Sequence, residues 1–346
     1  MATDENHASS TTYSSGNNEQ GGGHFNHTLY VETPVLLSHQ LSSKAGYKVY
    51  LKLENLQPPG SFKIRGISHM IQKSVLSGAC KQVYCASGGN AGMAAAYASH
   101  QLNIPCTIIL PKTTPTFIAK KLEDLGAAVV IYGSVYDEAK THAMELSKES
   151  GALYVPAFEH PDIWEGHASM IVEASRQMER KPDVVIASVG GGGLFNGVVQ
   201  GMRQVGWDSV PVLAMETVGA NAFNAAIEAG ELVTLPAITS IAKSLGSLVI
   251  SAATLEYYKQ GKPIVLSQLI SDKEAVQACV KFAEDHRFLV EPACGASLAA
   301  VYSDVVGSLC TSGQLPKKIH SVLVIVCGGT IVSTEAVELW KKDFGL

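Results

Sequence analysis

No two cysteines in this chain are spaced as Cys-x-x-Cys, and its seven cysteines (80, 85, 106, 279, 294, 310 and 327) lie mostly inside apolar segments. An odd, embedded set of this kind argues against both a zinc site and a disulfide framework. No apolar run approaches the roughly 18 residues of a membrane span. A basic excess is missing as well. Lys and Arg number 26 against 31 Asp and Glu, a formal charge of -5 that offers no footprint for nucleic acid or a membrane surface. Nothing repeats at solenoid spacing. The N-terminus is rich in Ser, Asn and Gly and carries no basic-then-apolar leader, so a cytoplasmic location is expected.

What is present is apolar and glycine-rich: 346 residues, 46% hydrophobic, with 32 Gly. That suffices for a large core in two domains, or in one large domain with an insertion. Residues 1–27 are poor in bulky apolar side chains and read as a disordered tail. Beyond them short β-branched runs alternate with helical patterns. Strands are expected at 49–53, 83–86, 106–110, 128–132, 154–157, 184–188, 212–215 and 321–326, with helices between. Ser271 and Glu274 form a capping-box pattern opening a helix to His286, and one further helix is expected over 296–310. This alternation predicts an α/β protein with open parallel sheets.

Parallel sheets gather ligands at the carboxyl ends of their strands. The stretch Pro58–Gly66 sets Lys63 among small and apolar residues where a Gly turn passes into a helix. Burial disfavours the ammonium form, leaving the amine usable as nucleophile and base, as a Schiff-base lysine requires; a lone Lys at a helix start is otherwise a surface residue. After the second of these strands comes Ser87-Gly88-Gly89-Asn90-Ala91-Gly92 at a helix start, suited to a carboxylate or equally an ordinary turn. Gly190, Gly191, Gly192 and Gly193 follow the strand ending at Ser188, making a cup of backbone donors for a phosphate. Dinucleotide binding stays open there, with Glu216 able to face a ribose. Cys327 ends the last strand before a Gly pair, where cysteine is usually a small buried hydrophobe. A lysine in an apolar pocket, a phosphate cup and no metal cluster together suggest pyridoxal phosphate.

These segments, with Ile163–Ser169, Ala214–Thr217 and Val290–Ala296, resemble the fold-type II pyridoxal-phosphate enzymes, and among them most closely the L-serine dehydratase/L-threonine deaminase family. The likeness runs from about Val31 to the end. It implies a tryptophan synthase β-like architecture of two open parallel-sheet α/β domains with the cofactor in the cleft between them: residues 28–60 and 160–346 as a large domain, 61–159 as a small one closing on substrate. It implies that Lys63 holds the cofactor and then moves the Cα proton, with Phe62 against the ring and Asn90 on its hydroxyl. Gly190, Gly191, Gly192, Gly193 and Leu194 would take the phosphate, Gly246 would lie beside the cofactor, and Cys327 would face the ring nitrogen. Ser87, Gly88, Gly89, Asn90 and Ala91 would bind the substrate carboxylate. A monovalent cation, K+, would sit on Gly190, Glu216, Ala220, Leu245 and Ser247. The substrate would be a small amino acid, and the assembly a homodimer.

Two departures stand out. Gly88 replaces the Ala common in such dehydratases and the Ser that serves racemases as opposite-face base, so a two-base racemase lacks its second base. The extra room at Gly88 is also expected to leave substrate less firmly placed. Ala222 stands where a Ser near the cation is usual. Serine racemase, a β-replacement synthase and a silent cofactor binder remain the rival readings. Trp164, His167, Glu291 and Cys294 are left as packing residues.

Overall fold

The computed structural model describes residues 28–346; the tail expected over 1–27 lies outside the described residues. Ten strands form two sheets: β1 (Val35–Ser38), β2 (Lys48–Leu53), β3 (Val83–Cys85), β4 (Cys106–Leu110), β5 (Ala128–Ile131), β6 (Leu153–Tyr154), β7 (Val184–Ser188), β8 (Val212–Thr217), β9 (Val265–Ile270) and β10 (Ser321–Val326). The larger sheet runs β1-β2-β10-β7-β8-β9 and the smaller β5-β4-β3-β6. All pairings are parallel except β1 with β2, which runs antiparallel and caps one edge. Every residue of β7, β8 and β10 is buried. Helices cover both faces of such a sheet, which is why these strands are continuous apolar runs without alternation.

Strands β3 to β6 all fall within 61–159, yet the core around the smaller sheet also takes in Leu29, Ile163 and Trp164. The helix Lys63–Leu76 packs on the helices Asn90–Gln101 and Pro161–Gln177, so the two cores meet along it. The capping box is present: Ser271 Oγ accepts from the Glu274 N–H at 3.2 Å, and Glu274 Oε2 accepts from the Ser271 N–H at 2.8 Å.

Two expected elements differ. The helix expected over 296–310 is two, Pro292–Tyr302 and Val305–Thr311, bent by 44°. Asp304, at φ 55, is left-handed there and stops the first helix, while Pro292 starts it early because a first-turn position needs no N–H donor. The strand expected over 154–157 ends at Tyr154. Pro156 cannot donate to a ladder, and the chain leaves the sheet so that Ala157 can turn its carbonyl toward Lys63. Strands β1 and β9 and the helices His39–Ala45, Ala222–Ala229 and Ala252–Gln260 have no counterpart in the sequence reading.

Candidate active site

Between the carboxyl ends of the two sheets lies a cleft. Lys63 reaches it as the first residue of its helix. The preceding turn is stitched to the end of β10: the Phe62 N–H donates to Cys327 O at 3.2 Å, and the Gly329 N–H to Gly60 O at 2.9 Å. Half-buried, Lys63 gives its Nζ to the Ala157 carbonyl at 2.5 Å and stands 5.2 Å from the centre of the Phe62 ring. Among the described residues it has no carboxylate partner. Burial accordingly pushes its pKa down to about 8, near enough to neutrality for a substantial neutral fraction.

Arg65, on the same helix, is fully buried and fixes the helix start. Its Nε and one terminal nitrogen fork onto Glu54 at 2.6 and 2.8 Å, and both terminal nitrogens bond Glu173 at 2.7 and 2.6 Å. Lys52, also buried, completes the cluster on Glu173 at 2.7 Å. Two positive and two negative charges thus cancel inside the protein, tying the lysine's helix to β2 and to Pro161–Gln177.

The glycine loop lines the facing wall. Gly192 adopts φ +100 as the chain passes from β7 into the helix Gly193–Gln204, and a Cβ there would meet Thr254 Oγ1 at 1.9 Å. At Gly191 a Cβ would fall 2.4 Å from the Phe158 ring, and at Gly193 2.9 Å from Phe158 Cβ. Only glycine lets the loop lie this close to Phe158 while its N–H groups gather at a helix N-terminus, the arrangement that holds an anion.

Phe62, Lys63, Asn90, Gly190 to Gly193, Leu194, Leu245 and Cys327 therefore all line the one cleft. Cys327 is buried, and its contact with Cys294 and burial together push its thiol well up, keeping it protonated. Ser87, Gly88, Gly89, Ala91 and Gly246 are not among the residues that line the cleft. Gly88 corrects an expectation. The space its missing Cβ would occupy is walled by Ile118, Leu110 and Thr114 side chains at 3.1, 3.2 and 3.3 Å, so no extra room opens there.

Glu216 is buried, with no cationic partner among the described residues; its carboxylate accepts the N–H groups of Phe223 and Asn224 at 2.9 and 2.7 Å, and burial pushes it up to about 8. Ser247 gives its hydroxyl to Val249 O at 2.6 Å. Gly190 abuts Leu245, with 3.0 Å between the ideal Cβ position and the Leu245 backbone.

Phe158, Ser188, Ser244, Ala293 and Gly328 also line the cleft without having been picked out from sequence, and so does Glu291, which the sequence reading had set aside as a packing residue. Glu291 had a signal. A carboxylate opening the wholly buried helix Pro292–Tyr302 must find donors, and it finds Asn90, Ser244 and the Ile331 N–H. His167 and Trp164 do pack: the first accepts from the Gly66 N–H at 3.1 Å, the second donates to Phe158 O at 2.7 Å.

Comparison with known proteins fits this geometry. Residues 27–328 match the family model described as pyridoxal-phosphate dependent enzyme. A rat protein named serine dehydratase-like is 51% identical over 90% of this chain and 94% of its own length. The bovine L-serine dehydratase/L-threonine deaminase is 49% identical over 92% of this chain and 97% of its own. Among solved structures, a fungal L-serine ammonia-lyase from Rhizomucor miehei superposes with a TM-score of 0.85 at 36% identity, covering 92% of this chain and all of that one.

Proposed function

This chain belongs to the pyridoxal-phosphate-dependent enzymes, and from that membership we propose that it is an ammonia-lyase, converting L-serine to pyruvate and ammonia and L-threonine to 2-oxobutyrate and ammonia. The observation that carries the reading is the pairing, across one cleft, of a carboxylate-free lysine with a glycine loop closed to any side chain.

The residues fit the cofactor. Gly190 to Leu194 would hold its phosphate on backbone donors at a helix N-terminus, Lys63 would take its aldehyde, and Phe62, Asn90 and Cys327 would border the ring. When bound, the group supplies an electron sink that makes the substrate Cα–H acidic. Lys63 supplies the base. Held with a pKa about 8 by burial, its amine is neutral often enough to accept the Cα proton, while the β-hydroxyl leaves as water. The helix start at Ser87–Ala91 offers N–H groups to the substrate carboxylate. Cys327, protonated and neutral, would border the ring without placing a full charge on it, which would favour prompt loss of the β-hydroxyl. Gly88 brings no hydroxyl, and the side chains of Ile118, Leu110 and Thr114 close the space where its Cβ would stand.

The proposal extends to a K+ ion near Glu216, whose buried carboxylate has no cationic partner among the described residues, and to closure of the small domain over substrate, a homodimer and a cytoplasmic setting. Purified protein given pyridoxal phosphate, K+ and L-serine tests the reading. Pyruvate in large excess over D-serine is expected; D-serine in excess would mean a racemase, and neither product would refute the assignment.

A further inference from the structure

Thr330 has no part in the reaction as proposed, yet it makes the most specific contact with a residue that does. The Asn90 side-chain oxygen accepts from both its backbone N–H and its hydroxyl, each at 2.9 Å. On the other side, the Asn90 amide nitrogen lies 3.4 and 3.3 Å from the two carboxylate oxygens of Glu291. Glu291 is itself met by donors, the Ser244 hydroxyl and the Ile331 N–H, so each of its oxygens already accepts a bond. Every neighbour thus dictates one orientation of the carboxamide. A flipped amide would set NH2 against two donors and its oxygen against a carboxylate, leaving several inward-facing groups unmatched.

The backbone is shaped to deliver this contact. Gly328 and Gly329, at φ 85 and 140, turn the chain immediately after β10. A Cβ at Gly329 would lie 2.1 Å from the Glu291 carboxyl carbon, so the glycine pair brings Thr330 and Glu291 to the same side chain. The bonds also cross the cleft, from the helix following β3 to the loop following β10.

We propose that Thr330 and Glu291 are positioning residues that lock the Asn90 carboxamide with an N–H, never its oxygen, toward the cleft. The site then selects a hydrogen-bond acceptor at that point, such as a deprotonated ring oxygen of the cofactor. Of the two amide hydrogens, Glu291 engages one side. The other is left to the long 3.4 Å contact with Ser244 and to the cleft. This inference rests on the pyridoxal-phosphate reading.

Thr330→Val keeps the shape and the backbone N–H but deletes the hydroxyl donor, and Thr330→Ser restores it. Dialysed proteins are reloaded with pyridoxal phosphate, and the dissociation constant and the visible absorption maximum are followed across pH. Thr330→Val is expected to weaken binding about 3- to 10-fold and to move the absorption maximum. Thr330→Ser should return both, and in an Asn90→Ala background the effect of Thr330→Val should vanish. Wild-type affinity and spectrum in Thr330→Val would overturn the proposal, as would an equal effect with and without Asn90. A wild-type protein that binds no pyridoxal phosphate would overturn the cofactor reading itself, and the lock's ligand with it.

Discussion

Consider the cofactor-free protein titrated from pH 6 to 11. Burial lowers the Lys63 pKa from the ordinary 10.5 to about 8, and the nearby Cys327 and Cys85 thiols only partly offset it. At neutral pH the neutral fraction of this amine then exceeds that of a solvated lysine by a factor of about 300, since each pH step is tenfold. The unfolded chain keeps the Lys63 proton up to 10.5, whereas the folded chain releases it near 8. Between those values the unfolded state binds more protons, so stability rises with pH across the window. Below pH 8 the whole cost of holding the buried ammonium is felt, about 3 kcal/mol. Two measurements check this. Competitive acetylation, read by mass spectrometry, should show Lys63 reactivity rising with an apparent pKa about 8 while exposed lysines rise two to three pH steps later. Urea denaturation should find Lys63→Met more stable than wild type at pH 7, the difference closing as pH climbs past 10.5. Labelling of Lys63 in step with the surface lysines, or a Lys63→Met protein no more stable at pH 7, would refute the account.

Arg65→Met would leave the carboxylates of Glu54 and Glu173 buried with Lys52 alone; a loss of about 3–5 kcal/mol is expected in denaturant titration, and a loss under about 1 kcal/mol would show that the cluster is dispensable. Arg65→Lys should fare little better, because an ammonium cannot fork onto two carboxylates. On its own burial would raise the Glu173 carboxyl, but Arg65 and Lys52 outweigh it and hold it below the ordinary range. Its contribution is therefore present at neutral pH and lost as pH falls through that lowered value, which an acid-unfolding comparison with Glu173→Gln will reveal. Gly191→Ala puts a methyl into the Phe158 ring, so the loop or the ring must move; cofactor affinity should fall at least tenfold with a stability loss of about 1–3 kcal/mol, measured by dialysis and melting. Gly88→Ala brings a methyl within 3.1–3.3 Å of the branch methyls of Ile118 and Thr114 and of a Leu110 methyl, which must give by a few tenths of an ångström, and should cost about 1 kcal/mol in the same melting assay.

The parts of this molecule legible in sequence are those where chemistry restricts the residue type. Lys63 and Gly190 to Gly193 could be read because an apolar lysine and four consecutive glycines are hard to explain otherwise, and the central strands because burial on both faces leaves only apolar residues. The capping box carries its own signature. What escaped depends on partners distant in the chain. Thr330 and Ser244 look like loop residues until Asn90, 240 residues before the first, is brought against them. Phe158 is ordinary until the glycine loop packs on its ring. The edge strands β1 and β9 were missed because a strand exposed on one side needs no continuous apolar run, and β1 has a half-exposed pattern over only 4 residues. At Gly88 the sequence showed a missing side chain, but only the fold showed that Leu110, Thr114 and Ile118 stand where it would have been.

The place of β10 in the larger sheet has a consequence for how the molecule is made. It is the last of the described strands, yet it lies between β2 and β7. As the polypeptide leaves the ribosome, β2 can pair with β1 but has no partner on its other side until residues 54–320 have been synthesised. Cys327, Gly328 and the turn that anchors Phe62 arrive with that same strand. Such long-range closure is slow, and the apolar edges of β2 and β7 stay open in the meantime. A nascent chain would therefore have its lysine and its glycine loop long before it had a site. Capture of the cofactor becomes a late event, coupled to insertion of β10, and free pyridoxal phosphate would speed completion of the fold only after the whole sheet had been synthesised.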